Sequence, residues 1–432
     1  MFVLDVTNPG NFSASNVLWE RNGSIDNDLG NTYGKPLIVP LENGSWGVLF
    51  GNGYGGNTSD PSLYVLDAFT GAEIARITAA DREPATRVVA ATITEWICSV
   101  TGILCAKKTD PFNGLGQITA IDRNGNGKVD TIYGGDLQGN LWKFDLSGTN
   151  ASAWAVANSG SPLFVAEVDG VRQPITGGIR VAAGPGTGVM VFFGTGRYLF
   201  ASDNTVPEDP DLQSLYGIFD NGSAVSGGRS ALEQQAITGE TTTTGGQLVR
   251  NLSRNLVRYF GDAARRGWYI DLAVRESDPQ NPDQTRLARR GERFIATPLI
   301  QSGRVFFTTY TPMEDSCNPG GRNFVYGLDL LSGAGGLSDL GVLPGGESVC
   351  TGGDCGAVSI DGENGGGGGD GGPPTSPPIT NLNLGALDTL KPIDPDCVGP
   401  DCATYEECSV VIYPGGFVLP RPCGRQSWRQ LR

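Results

Sequence analysis

Residues 122–130, which read DRNGNGKVD, form the motif of this sequence whose residue types and spacing fit a metal site. Its possible oxygen donors stand at every second position: Asp122, Asn124, Asn126, Lys128 and Asp130. Alternate residues of a tight loop converge on one point, and a hard cation such as Ca²⁺ takes about six to eight oxygen ligands. The two Asp and two Asn residues would supply side-chain oxygens. Lys128 would supply its backbone carbonyl while its ammonium points to solvent. The sequence therefore predicts a calcium-binding loop.

The loop departs from the best-known calcium loops in ways that bear on affinity. Gly127 occupies the position where such loops turn sharply and a side chain would clash. Where the longer loops carry a bidentate Glu, this chain has Tyr133, so the loop is a shortened form. Only two of the five ligands are carboxylates, and Arg123 and Lys128 lie close by. We therefore expect modest affinity, on the order of 10⁻⁶ to 10⁻⁴ M. The alternative is an Asx-rich hairpin turn that binds no metal.

Two kinds of strand-like phrase recur along the chain, and they flank this loop. The first kind alternates apolar residues and ends in Asp, usually before a Gly-containing turn; it is found at 1–10, 62–77, 116–127, 139–148, 214–222, 267–272 and 324–334. Asp can accept hydrogen bonds from turn amides two residues on, so a chain reversal is expected after each phrase. The second kind is a continuous apolar strand, found at 44–54, 188–199 and 303–312.

Alternation of the two phrases at roughly 30 to 70 residues predicts radial β-blades, and hence an all-β propeller, with an unrelated β-sandwich as the alternative. Two insertions interrupt the pattern, from about Thr78 to Gly114 and from about Ser223 to Arg266. The second contains SALEQQAITG and LVRNLSRNLVRYF, which have helical periodicity. We assign residues 1–360 to a calcium-binding propeller, 361–378 to a disordered Gly/Pro-rich linker and 379–432 to a Cys-rich tail.

Composition excludes several classes of function. The chain has 65 Gly and 27 Pro among 432 residues, which favours strands and turns over a helical bundle. Its formal net charge is −15, which argues against nucleic acid as the main partner. It contains no His, which removes Ser-His-Asp and Cys-His nucleophile systems and sites that need His ligands. The acidic loops elsewhere are broken by Pro and are interpreted as solvated surface. RRGERF at 289–294 resembles an integrin-binding Arg-Gly-Asp motif, but residue 292 is Glu.

The cysteine pattern indicates an oxidising compartment. The nine cysteines are Cys98, Cys105, Cys317, Cys350, Cys355, Cys397, Cys402, Cys408 and Cys423. The chain contains no CxxC pair, so zinc is disfavoured and disulfides are expected, with Cys98 pairing Cys105 and the last four closing the C-terminal unit. The first residues do not form a signal peptide, and no run of 18 apolar residues exists. The chain is therefore expected to be the C-terminal part of a longer exported protein; the alternative is a cytosolic protein with free thiols.

Taken together, these phrases resemble a known family. MFVLDVTNPG, FGNGYGG with LYVLDAFTG, DRNGNGKVDTIYGGDLQGNLWKFDL, VFFGTGRYL and the closing SWRQL resemble the C-terminal region of the PilY/PilC proteins. Those proteins are tip-associated adhesins and biogenesis factors of type IV pili. The resemblance implies a modified seven-bladed propeller, similar in shape to quinoprotein dehydrogenases. It also implies Ca²⁺ bound by the loop at 122–130, with calcium occupancy opposing retraction of the pilus by its motor ATPase. The family's N-terminal adhesive region is not in this chain.

The expected function is therefore non-enzymatic: a calcium-regulated pilus component that helps pilus assembly, surface attachment, twitching motility and virulence. The expected partners are major and minor pilins and a host or abiotic surface. The expected location is the pilus tip or cell surface, outer-membrane associated or periplasmic. Two alternatives stay open. One is a quinone-dependent dehydrogenase, although the vicinal Cys–Cys ring of such enzymes is absent from this sequence. The other is a metal-independent propeller scaffold that binds protein, with the tail after residue 378 as the expected contact.

Overall fold

A computed structural model describes most of the chain, as two compact units. The described residues are 1–58, 60–80, 113–243, 247–277, 281, 284–313, 320–338, 340–342, 354–360, 377–392, 404–413 and 417–420. Unit 1 comprises Met1–Val189, Thr195–Arg197 and Phe219–Ala231, and unit 2 comprises Met190–Gly194, Tyr198–Ile218 and Leu232–Arg432.

Strands dominate both units, and the all-β expectation is confirmed. Helical structure in the described residues is confined to 3₁₀ turns at Pro9–Asn11, Ala14–Asn16, Ala151–Ala153, Ala201–Asn204 and Gly228–Ala231 and a four-residue helical segment at Ala157–Gly160. No helix in this part of the chain is both long and apolar enough to cross a membrane.

Unit 1 is built from short antiparallel sheets. Its strands are β1 (Phe2–Leu4), β2 (Val17–Glu20), β3 (Leu37–Pro40), β4 (Trp46–Gly51), β5 (Ser62–Asp67), β6 (Glu73–Thr78), β7 (Leu115–Ile121), β8 (Thr131–Asp136), β9 (Asn140–Asp145), β10 (Ala155–Val156), β11 (Phe164–Val165), β12 (Glu167–Val168), β13 (Val171–Arg172) and β14 (Arg180–Ala183). One four-stranded sheet has the order β3-β4-β5-β6, and another runs β10-β9-β8-β7 with β11 also paired to β9. Each sheet of consecutive hairpins is the arrangement expected of a propeller blade.

A single apolar cluster joins these two sheets of unit 1. Leu41, just after β3, and Leu63 and Val65 of β5 share a buried cluster with Ile132 and Trp142 of the second sheet. All five side chains are fully buried. β5 and β8 are inner strands of their sheets and are buried along nearly their whole length, although β8 reads TIYGGD and is not an apolar run. Burial of these side chains fixes the ends of β7 and β8, between which the loop at 122–130 is suspended.

Unit 2 is also a set of sheets. Its strands are β15 (Val189–Gly194), β16 (Ser214–Asp220), β17 (Glu233–Gln235), β18 (Ile237–Thr242), β19 (Leu248–Leu252), β20 (Gly267–Asp271), β21 (Ala273–Ser277), β22 (Thr285–Arg289), β23 (Arg293–Phe294), β24 (Leu299–Gln301), β25 (Arg304–Met313), β26 (Gly320–Asp329), β27 (Gly341–Val342), β28 (Cys355–Ile360), β29 (Asn383–Pro392), β30 (Thr404–Tyr413) and β31 (Phe417–Pro420). The chain first passes into unit 2 at the start of β15 and returns to unit 1 for Thr195–Arg197 and for Phe219–Ala231, the second time near the end of β16. The largest sheet has the order β18-β19-β28-β26-β25-β23, and β24 also pairs with β25.

The predicted reversals after Asp are confirmed in most of the phrases but not at 267–272, where a bend at Leu272 leads directly from β20 to β21. In the turn after β5, Asp67 Oδ1 accepts hydrogen bonds from the amides of Phe69 at 3.0 Å and Thr70 at 2.8 Å. The same bond from the amide two residues on reaches Asp5, Asp145, Asp220 and Asp329. The Asp carboxylate therefore supplies the acceptor that these turn amides would otherwise lack.

The helical interpretation of the second insertion is wrong. SALEQQAITG contains β17 and the first half of β18, and LVRNLSRNLVRYF begins with β19. β19 pairs antiparallel with β18 on one side and with β28 on the other. An inner strand gains ladder hydrogen bonds on both edges, and this tertiary gain outweighs a local preference for helix. The first insertion, with Cys98 and Cys105, lies outside the described residues apart from its ends.

The C-terminal segment contributes strands to unit 2. β29, β30 and β31 form a four-stranded sheet with β27. Ile412 and Leu419 are fully buried in one cluster with Phe306 and Val325 of the large sheet. Cys355 is buried and disulfide-bonded, but its partner is not among the described side chains. Most of the predicted linker, and the other cysteine pairings predicted above, lie outside the described residues.

Candidate functional site

The loop at 122–130 connects two paired strands of unit 1. β7 and β8 are antiparallel, and Ile121 faces Thr131 at the end of their register. The amide of Asp130 donates to the carbonyl of Ile121 at 3.1 Å, which closes the base of the loop. All nine loop residues are thus held between two ladder strands whose other ends are anchored in the core.

Asp122 gathers the backbone of the loop around its carboxylate. Its Oδ1 accepts from the amides of Gly125 at 2.7 Å and Asn126 at 3.1 Å, and its Oδ2 accepts from the amide of Gly127 at 2.6 Å. An ionised carboxylate offers about four lone-pair sites, so capacity for a further ligand remains after these three bonds.

Asp130 holds the opposite side of the loop. Its Oδ2 accepts from the amides of Arg123 and Asn124, both at 3.0 Å, and its Oδ1 accepts from the hydroxyl of Thr131 at 2.7 Å. The Asp130 residue is only 4% exposed. Two carboxylates therefore organise one nine-residue loop, each through backbone amides of the loop itself.

The two Asn side chains continue the same pattern. Asn124 Oδ1 accepts from the amide of Asn126 at 3.0 Å, and Asn126 Oδ1 accepts from the amide of Lys128 at 2.8 Å. Their Nδ2 groups donate to one carboxylate oxygen, Glu42 Oε1, at 3.0 Å from Asn124 and 2.6 Å from Asn126. Each amide thus has its oxygen on the loop and its nitrogen on Glu42.

Glu42 was missed by the sequence reasoning. It lies in the hairpin between β3 and β4, far away along the chain, and is 8% exposed. Hydrogen bonds from Asn126 and then Asn124 hold its pKa below the ordinary value of 4.5, against a smaller opposing effect of burial. No local spacing marks this residue. Its place beside the loop depends on the bridge between Leu41 and Val129, a long-range pairing. The strand phrase at 44–54 does not predict that pairing.

The two basic residues of the loop are engaged by different groups. Lys128 Nζ lies 3.9 Å from Glu42 Oε2, with the side chain 40% exposed. Arg123 donates from Nη2 to the carbonyl of Thr187 at 3.4 Å, and its Nη1 lies 3.9 Å from Asp220. The guanidinium charge is therefore offset by groups outside the loop.

The glycines of the loop adopt backbone conformations that favour glycine. Gly125 and Gly127 have φ of 77° and 87°, in the left-handed region. An added Cβ would meet no atom within 4 Å at either position, so the requirement is conformational and not steric. These two residues give the loop the curvature that brings the amides onto Asp122.

The donor set fits a hard cation. Asp122, Asn124, Asn126 and Asp130 all present oxygens within one hydrogen-bonded loop, and oxygen donors are what Ca²⁺ selects. No group of three or more His, Cys, Asp or Glu side chains that could hold a metal occurs in the described residues. A cation in this loop would therefore depend on amide and carbonyl oxygens as well as the two carboxylates.

A buried polar cluster lies beneath the loop in unit 1. Asp220, which is fully buried, accepts from Lys143 Nζ at 2.6 Å and from the hydroxyl of Tyr133 at 2.7 Å. Burial, then the charge of Asp220 and the hydrogen bond to it, raise the pKa of Tyr133 far above its ordinary value, so the phenol stays protonated and donates. Tyr133, which stands where longer calcium loops carry a bidentate Glu, is thus a structural hydrogen-bond donor.

In unit 2, the Arg-Gly-Glu sequence at 290–292 is not exposed as a receptor-binding motif would have to be. Glu292 is 3% exposed and is paired with Arg250 Nη1 at 2.6 Å. It also accepts from the hydroxyls of Thr309 at 2.6 Å and Tyr326 at 3.0 Å. A carboxylate enclosed in this way cannot reach a ligand on another molecule, so the integrin interpretation is removed.

Comparison with known proteins identifies the family. A family profile described as the PilY1 beta-propeller domain matches residues 98–250, which include the loop. A Type IV pilus biogenesis factor PilY1 homolog from Xylella fastidiosa is 40% identical over 458 residues, covering 100% of this chain and 28% of that protein. Type IV pilus biogenesis factor PilY1 from Pseudomonas aeruginosa is 31% identical over 374 residues, covering 77% of this chain and 29% of that protein. The chain thus spans less than a third of the length of these relatives.

A solved structure gives the same answer at the level of the fold. The crystal structure of the Pseudomonas aeruginosa PilY1 C-terminal domain matches with a TM-score of 0.68 and 26% identity, covering 98% of this chain and 78% of that chain. Sequence profile, curated relatives and fold agree, and the chain belongs to the PilY1 family of type IV pilus biogenesis factors, where it corresponds to the C-terminal β-propeller domain.

Proposed function

We propose that this chain is a calcium-binding component of type IV pilus biogenesis, with the loop at 122–130 as its calcium site. The observation that supports this most directly is the loop's geometry: two carboxylates and two Asn oxygens gathered on a nine-residue turn. A pilus role rests on relatives named as type IV pilus biogenesis factors.

The residues that would hold the ion are Asp122, Asn124, Asn126 and Asp130 through side chains and Lys128 through its carbonyl. When bound, Ca²⁺ would supply positive charge that the loop's oxygens share. The loop's own amides already draw Asp122 and Asp130 into the turn, so little reorganisation is needed. Binding would stiffen the hairpin of β7 and β8, since an ion held by both ends of a loop offsets its conformational entropy.

The wider proposal concerns regulation, partners and location. Calcium occupancy would set the balance between extension and retraction of the pilus, and so twitching motility, surface attachment and virulence. The partners would be major and minor pilins and a host or abiotic surface, reached from the pilus tip or cell surface. The architecture would be a seven-bladed propeller with disulfide-tied insertions and tail, acting as a binding component and not as an enzyme.

The test is calcium titration of the purified chain by calorimetry. Wild type should bind one Ca²⁺ with a dissociation constant on the order of 10⁻⁶ to 10⁻⁴ M, and Asp130→Ala should bind much more weakly. Equal heats for the two proteins would remove the site. Pilus counts at varied calcium in cells that carry the same substitution in the full-length protein would then test regulation. Unchanged counts would remove the regulatory role while leaving the site intact.

A metal-independent binding scaffold is the second candidate, and one observation favours it. Asp122, Asp130, Asn124 and Asn126 already accept hydrogen bonds from the loop backbone, so the turn keeps its shape through its own bonds. The same titration separates the candidates, because a scaffold of this kind would show no calcium-dependent heat.

A further inference from the structure

Glu42 is brought to the loop by the packing of a separate hairpin. Leu41 is fully buried in the core of unit 1 and forms a parallel bridge with Val129. The amide of Val129 donates to the carbonyl of Pro40 at 2.9 Å. Gly44 turns the hairpin with φ of 88°, and its amide bonds back to Leu41 at 2.9 Å. The carboxylate next to Leu41 is therefore fixed beside the loop by backbone pairing.

The contacts of Glu42 determine which way the two Asn amides face. A carboxylate can only accept hydrogen bonds, whereas an amide has one accepting oxygen and one donating NH₂. Glu42 Oε1 accepts from Asn124 Nδ2 and Asn126 Nδ2 at 3.0 and 2.6 Å. Both Asn side chains must therefore turn nitrogen toward Glu42, which leaves both oxygens on the side of the loop.

We propose that Glu42 is a positioning residue of the calcium loop: it orients the oxygens of Asn124 and Asn126 toward the ion and adds a third carboxylate charge beside Asp122 and Asp130. This inference rests on the proposed calcium site and deepens it. It also explains why the loop carries Asn at these two positions. Asp at either one would set an acceptor against the acceptor Glu42, with two like charges at hydrogen-bond distance.

A direct consequence is that the ion is linked to two sheets. The loop belongs to the sheet of β7 and β8, while Glu42 belongs to the hairpin of β3 and β4. Calcium would bind the oxygens of Asn124 and Asn126, while Glu42 accepts hydrogen bonds from the nitrogens of the same side chains. Binding should therefore slow hydrogen exchange in the hairpin at 41–45 as well as in the loop.

The experiment is a double-mutant cycle of calcium affinity, measured by calorimetry with CaCl₂. Outer-shell partners that orient ligands typically contribute about 10–100-fold to metal affinity, so Glu42→Ala, which removes the acceptor of both Asn nitrogens, should weaken binding by that factor. Asn126→Asp should also weaken binding in the wild-type background. In the Glu42→Gln background the same change should strengthen it, because the Gln amide can donate to the new carboxylate.

The matched control is Glu20→Ala. Glu20 also accepts a hydrogen bond from an Asn amide, from Asn22 Nδ2 at 3.3 Å, but on an exposed surface. This variant should bind calcium like wild type. Hydrogen exchange gives a second readout: in Glu42→Ala, which has no acceptor for the two Asn nitrogens, calcium should still protect the loop but no longer the hairpin at 41–45.

Three results would each overturn the inference. They are wild-type affinity in Glu42→Ala, equal effects of Asn126→Asp in the wild-type and Glu42→Gln backgrounds, and calcium protection of the hairpin that persists in Glu42→Ala. Absence of calcium binding by wild type would remove the proposed site itself and this inference with it. The wild-type titration therefore distinguishes failure of the function from failure of the role assigned to Glu42.

Discussion

Replacement of Arg250 by Met should destabilise unit 2 strongly, because the guanidinium is enclosed and bonded on several sides. Arg250 is 1% exposed and contacts Glu292 at 2.6 Å and Glu240 at 2.8 Å. It also donates to the hydroxyl of Tyr326, and its Cζ lies 3.6 Å from the ring centroid of Phe324. Removing it leaves Glu292 buried without a cation.

The magnitude follows from this geometry. Breaking a buried ion pair by deleting one partner costs about 3–5 kcal/mol, since the remaining charge is uncompensated. Glu240 keeps Arg290 at 2.8 Å, and Glu292 keeps two hydroxyl donors, so we expect a loss near the lower limit, about 3 kcal/mol. The matched control is Arg286→Met, which removes an exposed pair with Glu276 at 2.9 Å and should cost about 0–1 kcal/mol.

Urea unfolding followed by tryptophan fluorescence measures both variants, and Trp268 is fully buried in the same unit. A third protein, Arg250→Met with Glu292→Gln, removes both charges but keeps an acceptor for Thr309 and Tyr326. It should recover most of the loss. A deficit below about 1 kcal/mol in Arg250→Met, or no recovery in the double variant, would show that the buried charge does not govern stability here.

Three further predictions concern unit 1. Asp136→Ala should cost about 3–5 kcal/mol in urea unfolding, because several buried donors, including the indole of Trp142 at 2.9 Å, lose their acceptor; a loss under about 1 kcal/mol would contradict this. Gly127→Ala should cost about 1–2 kcal/mol, since φ there is 87°, and an unchanged unfolding midpoint would refute the strain. Burial raises the pKa of Asp220, but the hydrogen bond and charge of Lys143 with the other donors outweigh it, so the net pKa lies below 3.8. Its stabilisation is complete above that pH and is lost as pH falls through the lower folded-state pKa. Lys143→Met should therefore move the midpoint of acid unfolding to higher pH, and an unmoved midpoint would argue against the pair.

Local signals predicted the strands and their turns well. Phrases such as those that became β5, β9 and β26 combine apolar alternation with a terminal Asp, and both features act within a few residues. The loop at 122–130 was found for the same reason, because all of its own donors lie within nine residues. Period and turn chemistry are local physics, so one sequence is enough to read them.

What escaped the sequence depends on partners that are distant along the chain. β19 looked helical because its apolar residues recur at helical spacing, yet Arg250 within it is held by Glu240 and Glu292. Glu42 acts on Asn126 across 84 residues, and no spacing rule connects them. Such contacts arise from sheet pairing and packing, which local propensity does not contain.

The two Asn-Gly steps of the loop have a chemical consequence for the protein as it ages. Asn followed by Gly is prone to deamidation, in which the glycine nitrogen attacks the Asn side-chain carbonyl, ammonia leaves, and hydrolysis of the cyclic imide gives a carboxylate. Here the amides of Gly125 and Gly127 both donate hydrogen bonds to the carboxylate of Asp122, at 2.7 and 2.6 Å. Folding therefore restrains the two glycine nitrogens that start the reaction. If the hydrogen bonds to Asp122 were lost, deamidation would slowly convert Asn124 and Asn126 into acids that face Glu42.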